Sequence, residues 1–230
     1  MCLLAANIIM KFQMSHDINP NALKSTNRIP VEKVADADFP SRSGHFRICG
    51  FRLAPGEAPE ETAVVLVKGE LRRGSVPLVR IHSQCMTGDV FGSLRCDCRE
   101  QLEMALKQIG ASESGLLIYE QQEGRGIGLM SKLQAYELQD GGMDTVEANQ
   151  ELGFQADLRQ YRLPVGILQY YEIAAVRLLS NNPEKIRALE EGGIEVRERV
   201  PISATAEPNR ERYLKTKQDK MGHLIQKNVE

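Results

Sequence analysis

The chain has 230 residues, of which 42% are hydrophobic and 26% charged, an ordinary composition for a globular protein with a sizeable core. The formal net charge is −2, Trp is absent and only 5% of the residues are aromatic. These values argue against a basic nucleic-acid-binding protein and against a base-stacking surface, so we expect no nucleic-acid partner.

The cysteine usage and the N-terminus indicate a reducing compartment. The five cysteines are odd in number and unevenly spaced, unlike a secreted disulfide scaffold. The start, MCLLAANIIM, lacks a basic leader and a cleavage pattern, so we expect no signal peptide. No stretch approaches the roughly 20 apolar residues that span a bilayer. We expect a cytoplasmic protein with no membrane partner.

The N-terminal third predicts an arm followed by strands. Residues 1–40 show little periodicity and are interpreted as a variable, partly disordered arm. From Gly44 three segments predict strands: HFRICGFRL, AVVLVKG and, at residues 76–83, VPLVRIHS. The charged and Gly/Pro-rich stretches between them predict turns, so the chain begins with antiparallel strands.

Strand–loop–helix units follow. Residues 99–109 predict a helix, and Asp97 followed by Glu100 resembles a capping box with Asp97 as the N-cap. The run LLIY predicts a strand that leads into a glycine loop and a second helix. That helix carries three residues on one face: Leu129, Leu133 and Tyr136.

The last units continue this alternation. The run VRLL predicts a strand, and Asn182 with Pro183 predicts the start of a helix that ends at residues 192–193. IEVRERV predicts a final strand. The fold class is therefore α/β in a mixed α+β sense, as one compact domain. The predicted division is an arm at 1–40, a catalytic domain at 41–225 and a tail at 226–230.

Three cysteines form a C-x10-C-x-C pattern: Cys85, Cys96 and Cys98. Three thiolates suit zinc, and three protein ligands with an open position suit hydrolysis, because zinc lowers the pKa of bound water from about 15.7 to about 7. Reduced cysteines packed as small hydrophobes are the alternative, which the polar neighbours disfavour. His82 is either a fourth ligand or a polar contact near the site.

A glycine loop, EGRGIG at residues 123–128, lies between a predicted strand and a predicted helix. Such a loop either brings backbone close to a phosphate or only makes a tight turn. Arg125 can fork onto phosphate, and Glu123 can accept hydrogen bonds from a guanine edge or help hold a metal. Lys185 is either a phosphate contact or a surface lysine.

Two further segments carry charged groups. Asp157 and Arg159 are two residues apart, and such a pair is usually a surface salt bridge, although it also offers an acid and a base. The C-terminal run RERYLKTKQDKMGHL is basic and amphipathic, which is typical of a solvated helix face.

Together these segments resemble the GTP cyclohydrolase II family. The matching stretches, in the family's order over roughly residues 44–225, are RIHSQCMTGDVFGSLRCDCREQLEMAL, YEQQEGRGIGL, KLQAYELQDGGMDTVEANQELGF, ADLRQY, LLSNNPEKI and KTKQDKMGHL.

The resemblance assigns roles by position. It implies that Cys85, Cys96 and Cys98 hold zinc, that Asp157 accepts a proton, that Arg159 is the proposed nucleophile and that Tyr136 serves the hydrolytic step. Direct attack by water, with Arg159 stabilising charge, is the alternative, because a guanidinium stays protonated. The implied GTP contacts are Arg80, Ile81, His82, Ser83, Gln84, Gln101, Glu123, Gly124, Arg125, Thr145, Ser180 and Lys185.

The sequence departs from the family's pattern at three places. Gln84 stands where the family usually has Glu, and Ser180 replaces a usual Thr but keeps the hydroxyl. Residues 162–165 replace a Gly-rich stretch. None of these changes removes a predicted metal ligand or the Asp157/Arg159 pair.

The resemblance implies zinc-dependent hydrolysis of GTP, the first step of riboflavin synthesis. Formate and pyrophosphate leave, and a diaminopyrimidinone ribosylamino phosphate remains. It also implies one zinc ion per subunit, Mg²⁺ on the phosphates and a homodimer. Two alternatives stay open: a paralogue with a different product or pathway, and a non-catalytic zinc-containing regulator that binds nucleotides.

Overall fold

The computed structural model describes residues 28–57 and 61–202, together with the single positions 218 and 222. Most of the predicted arm, the whole predicted tail and nearly all of the run RERYLKTKQDKMGHL lie outside these residues. What the sequence predicts for those segments stays a prediction.

One mixed sheet of seven strands organises the described chain. In chain order the strands are β1 Val31–Ser41, β2 Gly44–Leu53, β3 Thr62–Lys68, β4 Leu78–Ser83, β5 Gly115–Glu120, β6 Ala175–Leu179 and β7 Glu195–Val200. Across the sheet their order is β1-β2-β3-β5-β4-β6-β7. The pairs from β1 to β5 are antiparallel, whereas β4 pairs parallel with β5 and β6, and β6 with β7. The predicted mixed α/β class with an antiparallel beginning is confirmed.

The helices are α1 Met86–Asp89, α2 Cys98–Ala111, α3 Leu129–Asp140, α4 Thr145–Glu151, α5 Arg162–Tyr170 and α6 Pro183–Glu191, with a 3-10 turn at Glu123–Gly126. Within the described residues, none of them has the length and apolar character needed to cross a bilayer. The predicted start of α6 is confirmed, since the Asn182 side chain accepts a hydrogen bond from the Glu184 amide and Pro183 begins the helix.

The first strand corrects the predicted arm. Residues 31–41, most of which the sequence analysis assigned to that arm, pair with β2 over their whole length. β1 lies at the edge of the sheet, and most of its side chains are partly or fully exposed. An edge strand exposed on both faces carries no apolar alternation, so periodicity misses it.

The capping box predicted at α2 is wrong in detail. Asp97 is the N-cap residue, but its side chain makes no capping hydrogen bond to the helix backbone. The Asp97 carboxylate instead accepts a hydrogen bond from the Gln101 amide nitrogen at 2.6 Å, and the Gln101 amide oxygen accepts one from Arg80 at 2.7 Å. A buried arginine therefore draws the cap residue away from the backbone.

The apolar face predicted for α3 is also wrong. Leu133 is 43% exposed, and Ala135 is the residue of this helix that is buried. α3 packs against α4 and the 3-10 turn rather than against the sheet. Its inner face therefore lines a cavity instead of a hydrophobic core.

The core lies on both faces of the sheet. On one face the side chains of α5 and α6 belong to one cluster with those of strands β2 to β6, in which Ile81, Ile118 and Leu189 are fully buried. On the other face α2 packs against β2, with Phe46 and Ile109 buried. The parallel strands β4, β5 and β6 are covered on both sides, and their carboxyl ends open onto one edge. Ligand sites of mixed sheets lie at such an edge.

Candidate active site

A cavity of about 320 Å³ lies at the carboxyl ends of the parallel strands, within the size range of small-molecule sites. It brings together residues predicted from well-separated segments of the sequence. Those that line it are Arg80, His82, Ser83, Gln84, Cys85, Cys96, Cys98, Gln101, Glu123, Gly124, Arg125, Tyr136, Thr145, Arg159, Ser180 and Lys185.

Two predicted residues do not line this cavity. The Ile81 side chain is fully buried in the core, but its backbone oxygen accepts a hydrogen bond from Lys185 Nζ at 2.7 Å. Asp157 lies behind Arg159, its carboxylate accepting hydrogen bonds from Arg159 Nε at 2.9 Å and from the Arg159 amide at 3.0 Å. Each therefore acts on the cavity through a neighbour.

The three cysteines converge at one end of the cavity. Their sulfurs all lie within 4.8 Å of one another, and the Cys85 and Cys96 sulfurs are 3.7 Å apart. Zn–S bonds of about 2.3 Å at tetrahedral angles place two sulfurs about 3.8 Å apart. The donor set and its spacing therefore fit zinc.

The backbone packs tightly against the cysteine sulfurs at Gly88. A Cβ atom at Gly88 would lie 2.8 Å from the Cys96 sulfur and 3.2 Å from the Cys85 sulfur, so only glycine fits there. Hydrogen bonds from the Cys96 and Cys98 thiols hold the pKa of the Cys85 thiol well below its ordinary value. A lowered pKa favours the thiolate, the form of cysteine that binds a metal.

His82 is a polar neighbour of the sulfurs and not a member of their cluster. Its Nε2 lies 3.1 Å from an Asp89 carboxylate oxygen, and burial lowers the pKa of the imidazole. Asp89 also accepts hydrogen bonds from the Cys85 amide at 3.0 Å and from the Tyr119 hydroxyl at 2.8 Å. Asp89 thus fixes the backbone that carries the first cysteine.

The α3 helix adds a lysine that the sequence analysis did not single out. Lys132 Nζ lies 3.1 Å from the Cys85 sulfur and 2.7 Å from Glu123 Oε1. One turn later, the Tyr136 hydroxyl lies 3.1 Å from Thr87 Oγ1, and burial raises the pKa of the Tyr136 phenol. The i, i+4 spacing to Tyr136 was a usable signal for Lys132, because it places both side chains on one helical face.

Glu123 is engaged by the protein itself. One oxygen accepts hydrogen bonds from the Gly124 amide at 2.8 Å and from Lys132, and the other accepts one from the Met86 amide at 2.6 Å. The carboxylate therefore ties the glycine loop to the cysteine loop. That use occupies most of the acceptor capacity that the sequence analysis assigned to a guanine edge.

The glycine loop forms a left-handed turn. Gly124 and Arg125 have φ values of 63° and 62°, which are unusual for a residue with a side chain. Both terminal guanidinium nitrogens of Arg125 are buried and have no hydrogen-bond partner among the described residues. A buried cation without a partner is costly, so this group is suited to an anion.

A second group of residues that line the cavity is basic, and we call this group the cation end. Arg80 and Lys185 are buried, and burial lowers the pKa of each, that of Arg80 to about 10. Arg159 forms a bidentate ion pair with Asp157. Burial opposes ionisation of Asp157, but the hydrogen bonds from Arg159 outweigh it and lower the pKa of the carboxyl. This end is built to hold negative charge.

A glutamine fixes the segment that carries Arg159. The Gln122 amide oxygen accepts a hydrogen bond from the Gln160 amide at 2.9 Å, and the Gln122 amide nitrogen donates to the Gln160 oxygen and, at 2.8 Å, to Glu120. Glu120 is almost fully buried, and burial raises the pKa of its carboxyl to about 7. The sequence analysis missed both residues, because their partners are distant in the chain.

Thr145 and Ser180 complete the wall of the cavity. Thr145 is the first residue of α4, whose N-cap Asp144 forms a capping box with Glu147. Ser180 follows β6, and its hydroxyl accepts a hydrogen bond from the Asn182 amide at 3.0 Å. Both hydroxyls therefore lie at helix or strand ends that face the cavity.

Comparisons with known proteins find one family over most of the chain. The family described as GTP cyclohydrolase II matches residues 32–201. A protein named GTP cyclohydrolase-2 from Picrophilus torridus is 48% identical over 195 residues, which cover 85% of this chain and 100% of that protein. One with the same name from Buchnera aphidicola is 47% identical over 85% of this chain and 99% of its own length.

Other relatives are longer. The riboflavin biosynthesis protein RibBA of Endomicrobium trichonymphae is 42% identical over 95% of this chain but only 55% of its own length. The chain thus spans about half the length of several curated relatives that it matches.

Proposed function

Because the chain belongs to the GTP cyclohydrolase II family, we propose that it is an enzyme of riboflavin synthesis that hydrolyses GTP and opens the imidazole ring. The products are formate, pyrophosphate and a diaminopyrimidinone ribosylamino phosphate. The observation that carries the proposal is one cavity lined both by three clustered sulfurs and by several buried cations. Ring opening and phosphate cleavage need these two different environments.

Ring opening belongs to the sulfur end. A zinc ion held by Cys85, Cys96 and Cys98 would supply a Lewis acid with one open position, which lowers the pKa of water for attack at carbon 8 of the purine. The Tyr136 phenol is protonated at neutral pH, as an ordinary tyrosine is, and donates a proton to the opening ring. Thr87 holds the Tyr136 hydroxyl in place.

Phosphate cleavage belongs to the cation end. GTP enters as its Mg²⁺ complex, and its phosphates lie against the unpartnered guanidinium of Arg125 and the ammonium of Lys185. Both groups stabilise charge that grows on the leaving pyrophosphate. Burial lowers the pKa of Lys185, and an anionic phosphate restores the charged form of the lysine on binding.

The pairing of Asp157 with Arg159 bears on the phosphate step. A guanidinium held across two of its N–H groups by a carboxylate stays protonated, and this pairing supports direct attack by water at the α-phosphorus. Arg159 then stabilises the transition state and Asp157 fixes the orientation of Arg159. Trapping of a covalent guanylyl-arginine adduct by rapid quenching would instead support Arg159 as nucleophile.

The test is direct. Zinc-loaded protein incubated with GTP and Mg²⁺ should release formate and pyrophosphate in equal amounts, with the expected product mass. A product that still carries the formyl group would support the alternative of a paralogue whose reaction stops early. Gln84, which stands where the family usually has Glu, motivates that alternative. Tight GTP binding with no product would contradict the proposal and support the regulator. The homodimer and the cytoplasmic location stay predictions, checked by sedimentation and by fractionation of the source cells.

A further inference from the structure

Lys132 has a contact that the proposed function does not use. Its ammonium touches the sulfur of Cys85 at 3.1 Å, and its side chain is only 12% exposed. Among the residues that the structure describes, it is the cation that hydrogen-bonds to a sulfur of the trio. The contact crosses from α3 to the loop after β4, 47 residues earlier in the chain.

We infer that Lys132 is a positioning residue of the sulfur site, whose ammonium draws electron density from the Cys85 thiolate and so makes a bound metal ion a stronger Lewis acid. The inference rests on the proposed function, because it assigns the effect to ring opening. It adds a residue whose charge raises the Lewis acidity of a bound metal ion without itself being a ligand.

The ammonium is held at the sulfur from the opposite side. Glu123 accepts a hydrogen bond from Lys132 and another from the Met86 amide, and Met86 directly follows Cys85. Lys132, Glu123 and the backbone next to Cys85 thus form a closed ring of contacts around the Cys85 sulfur. Such a ring fixes the distance between the Lys132 ammonium and the Cys85 sulfur, and this distance is set only in the folded protein.

The charges explain why such a cation is useful. Three thiolates around a divalent zinc ion leave a net charge of −1, and strong electron donation from sulfur weakens a metal as a Lewis acid. A hydrogen bond from a cation reduces the donation from that one sulfur, as hydrogen bonds to sulfur do in other metal sites. Arg95 stacks over the Tyr136 ring at 4.7 Å, so its charge is directed at the aromatic face instead.

A purely structural role is the competing explanation. Glu123 is 8% exposed, and a buried carboxylate needs a cation whatever the chemistry. In that case Lys132 balances Glu123 and its approach to Cys85 is incidental. The two explanations differ in what happens to the sulfur–metal bonds when the ammonium is removed and the carboxylate is neutralised as well.

The experiment uses the full chain loaded with Co²⁺ in place of zinc. Sulfur-to-cobalt charge-transfer absorption reports the donor strength of the thiolates directly, without turnover. In Lys132→Met the band should move to longer wavelength, and Lys132→Arg should return it toward the wild-type position. Lys107→Met, an exposed lysine on α2, is the matched control and should leave the band in place.

Activity gives the second readout. With zinc at one ion per chain, Lys132→Met should lower formate release by about 10- to 100-fold, the usual size of an outer-contact effect, while pyrophosphate release changes by less than about 3-fold. If Lys132→Met does not fold, Lys132→Met/Glu123→Gln removes both buried charges, and its cobalt band should show the same shift to longer wavelength.

Two outcomes overturn the inference. One is a cobalt band that stays at the wild-type position in the variants without Lys132. The other is a parallel fall of formate and pyrophosphate release. Failure of the proposed function is separate. If the wild-type protein turns over no GTP but the cobalt band of Lys132→Met is still shifted from the wild-type position, the activity is refuted and the role of Lys132 toward the metal stands.

Discussion

The two groups of residues that line the cavity differ in the sign of their charge. The sulfur end gathers potential anions, namely three thiols and the carboxylates of Asp89 and Glu123. Among the described residues, the cation that contacts a sulfur there is Lys132. The cation end gathers Arg80, Arg125, Arg159 and Lys185. Under the proposed function, this arrangement lets one cavity carry out two hydrolyses on one substrate, because each proposed step uses groups that the other does not need.

The sharpest way to break this separation is to remove a sulfur. In Cys96→Ser the metal loses one of three protein ligands, so formate release should fall by more than the roughly 100-fold expected of an outer contact. Pyrophosphate release should persist, because the cation end is intact. Coupled assays for the two products measure the split. Cys2→Ser is the matched control, and equal loss of both products in Cys96→Ser would contradict two separable ends.

The converse change is Arg159→Lys. Lysine keeps the charge but loses the fork that pairs with Asp157, so pyrophosphate release should fall by about 100-fold, as on loss of one transition-state donor. Zinc content, measured by atomic emission, should stay at the wild-type level. Arg177→Lys changes an exposed arginine paired with Glu198 and is the control. Loss of zinc from Arg159→Lys would show that the ends are coupled.

Gly88→Ala tests how closely the sulfur end is built. The added methyl group would sit 2.8 Å from the Cys96 sulfur, so the trio must spread and metal affinity should fall by about 10-fold or more. Competition with a chelator measures the affinity. Gly141→Ala, at the end of α3 and away from the sulfurs, should bind zinc as the wild type does. Unchanged affinity in Gly88→Ala would mean that the sulfur cage adapts freely.

Glu120→Gln probes the cation end through pH. Burial raises the pKa of Glu120 to about 7, so the folded chain holds this proton more tightly than the unfolded chain does. The wild type therefore loses stability as pH rises from about 4.5 to about 7, by at most about 3 kcal/mol. Glu120→Gln should lack that loss. Urea unfolding at a series of pH values measures the difference between the two proteins, and parallel curves would refute the shifted pKa.

Local patterns in the sequence predicted the parts of this protein that local forces determine. Alternating or continuously apolar segments predicted six of the seven strands, and the Asn182-Pro183 pair predicted the start of α6, because both depend on residues within a few positions. The sequence patterns did not predict the edge strand β1, because its side chains are exposed on both faces. The apolar face predicted for α3 was wrong at Leu133, because that side chain is exposed to solvent.

The candidate site divides in the same way. The spacing of Cys85, Cys96 and Cys98 indicated a metal site from sequence, and the sulfurs do converge. Lys132 and Gln122 stayed hidden, because their partners lie 47 and 38 residues away and only the folded sheet brings them together. The helical spacing of Lys132 from Tyr136 indicated which face it occupies, but the contacts themselves carry no periodic signal and needed the structure.

The short loop that holds the sulfurs also has a consequence for assembly. Cys85 and Cys98 are 13 positions apart, whereas Arg80 and Lys185 are 105 apart. By the logarithmic dependence of loop-closure entropy on length, joining the first pair costs about 2 kcal/mol less than joining the second. The cysteine cluster can therefore form early in folding and survive partial unfolding, whereas Arg80 and Lys185 come together only when the last parallel strands have docked.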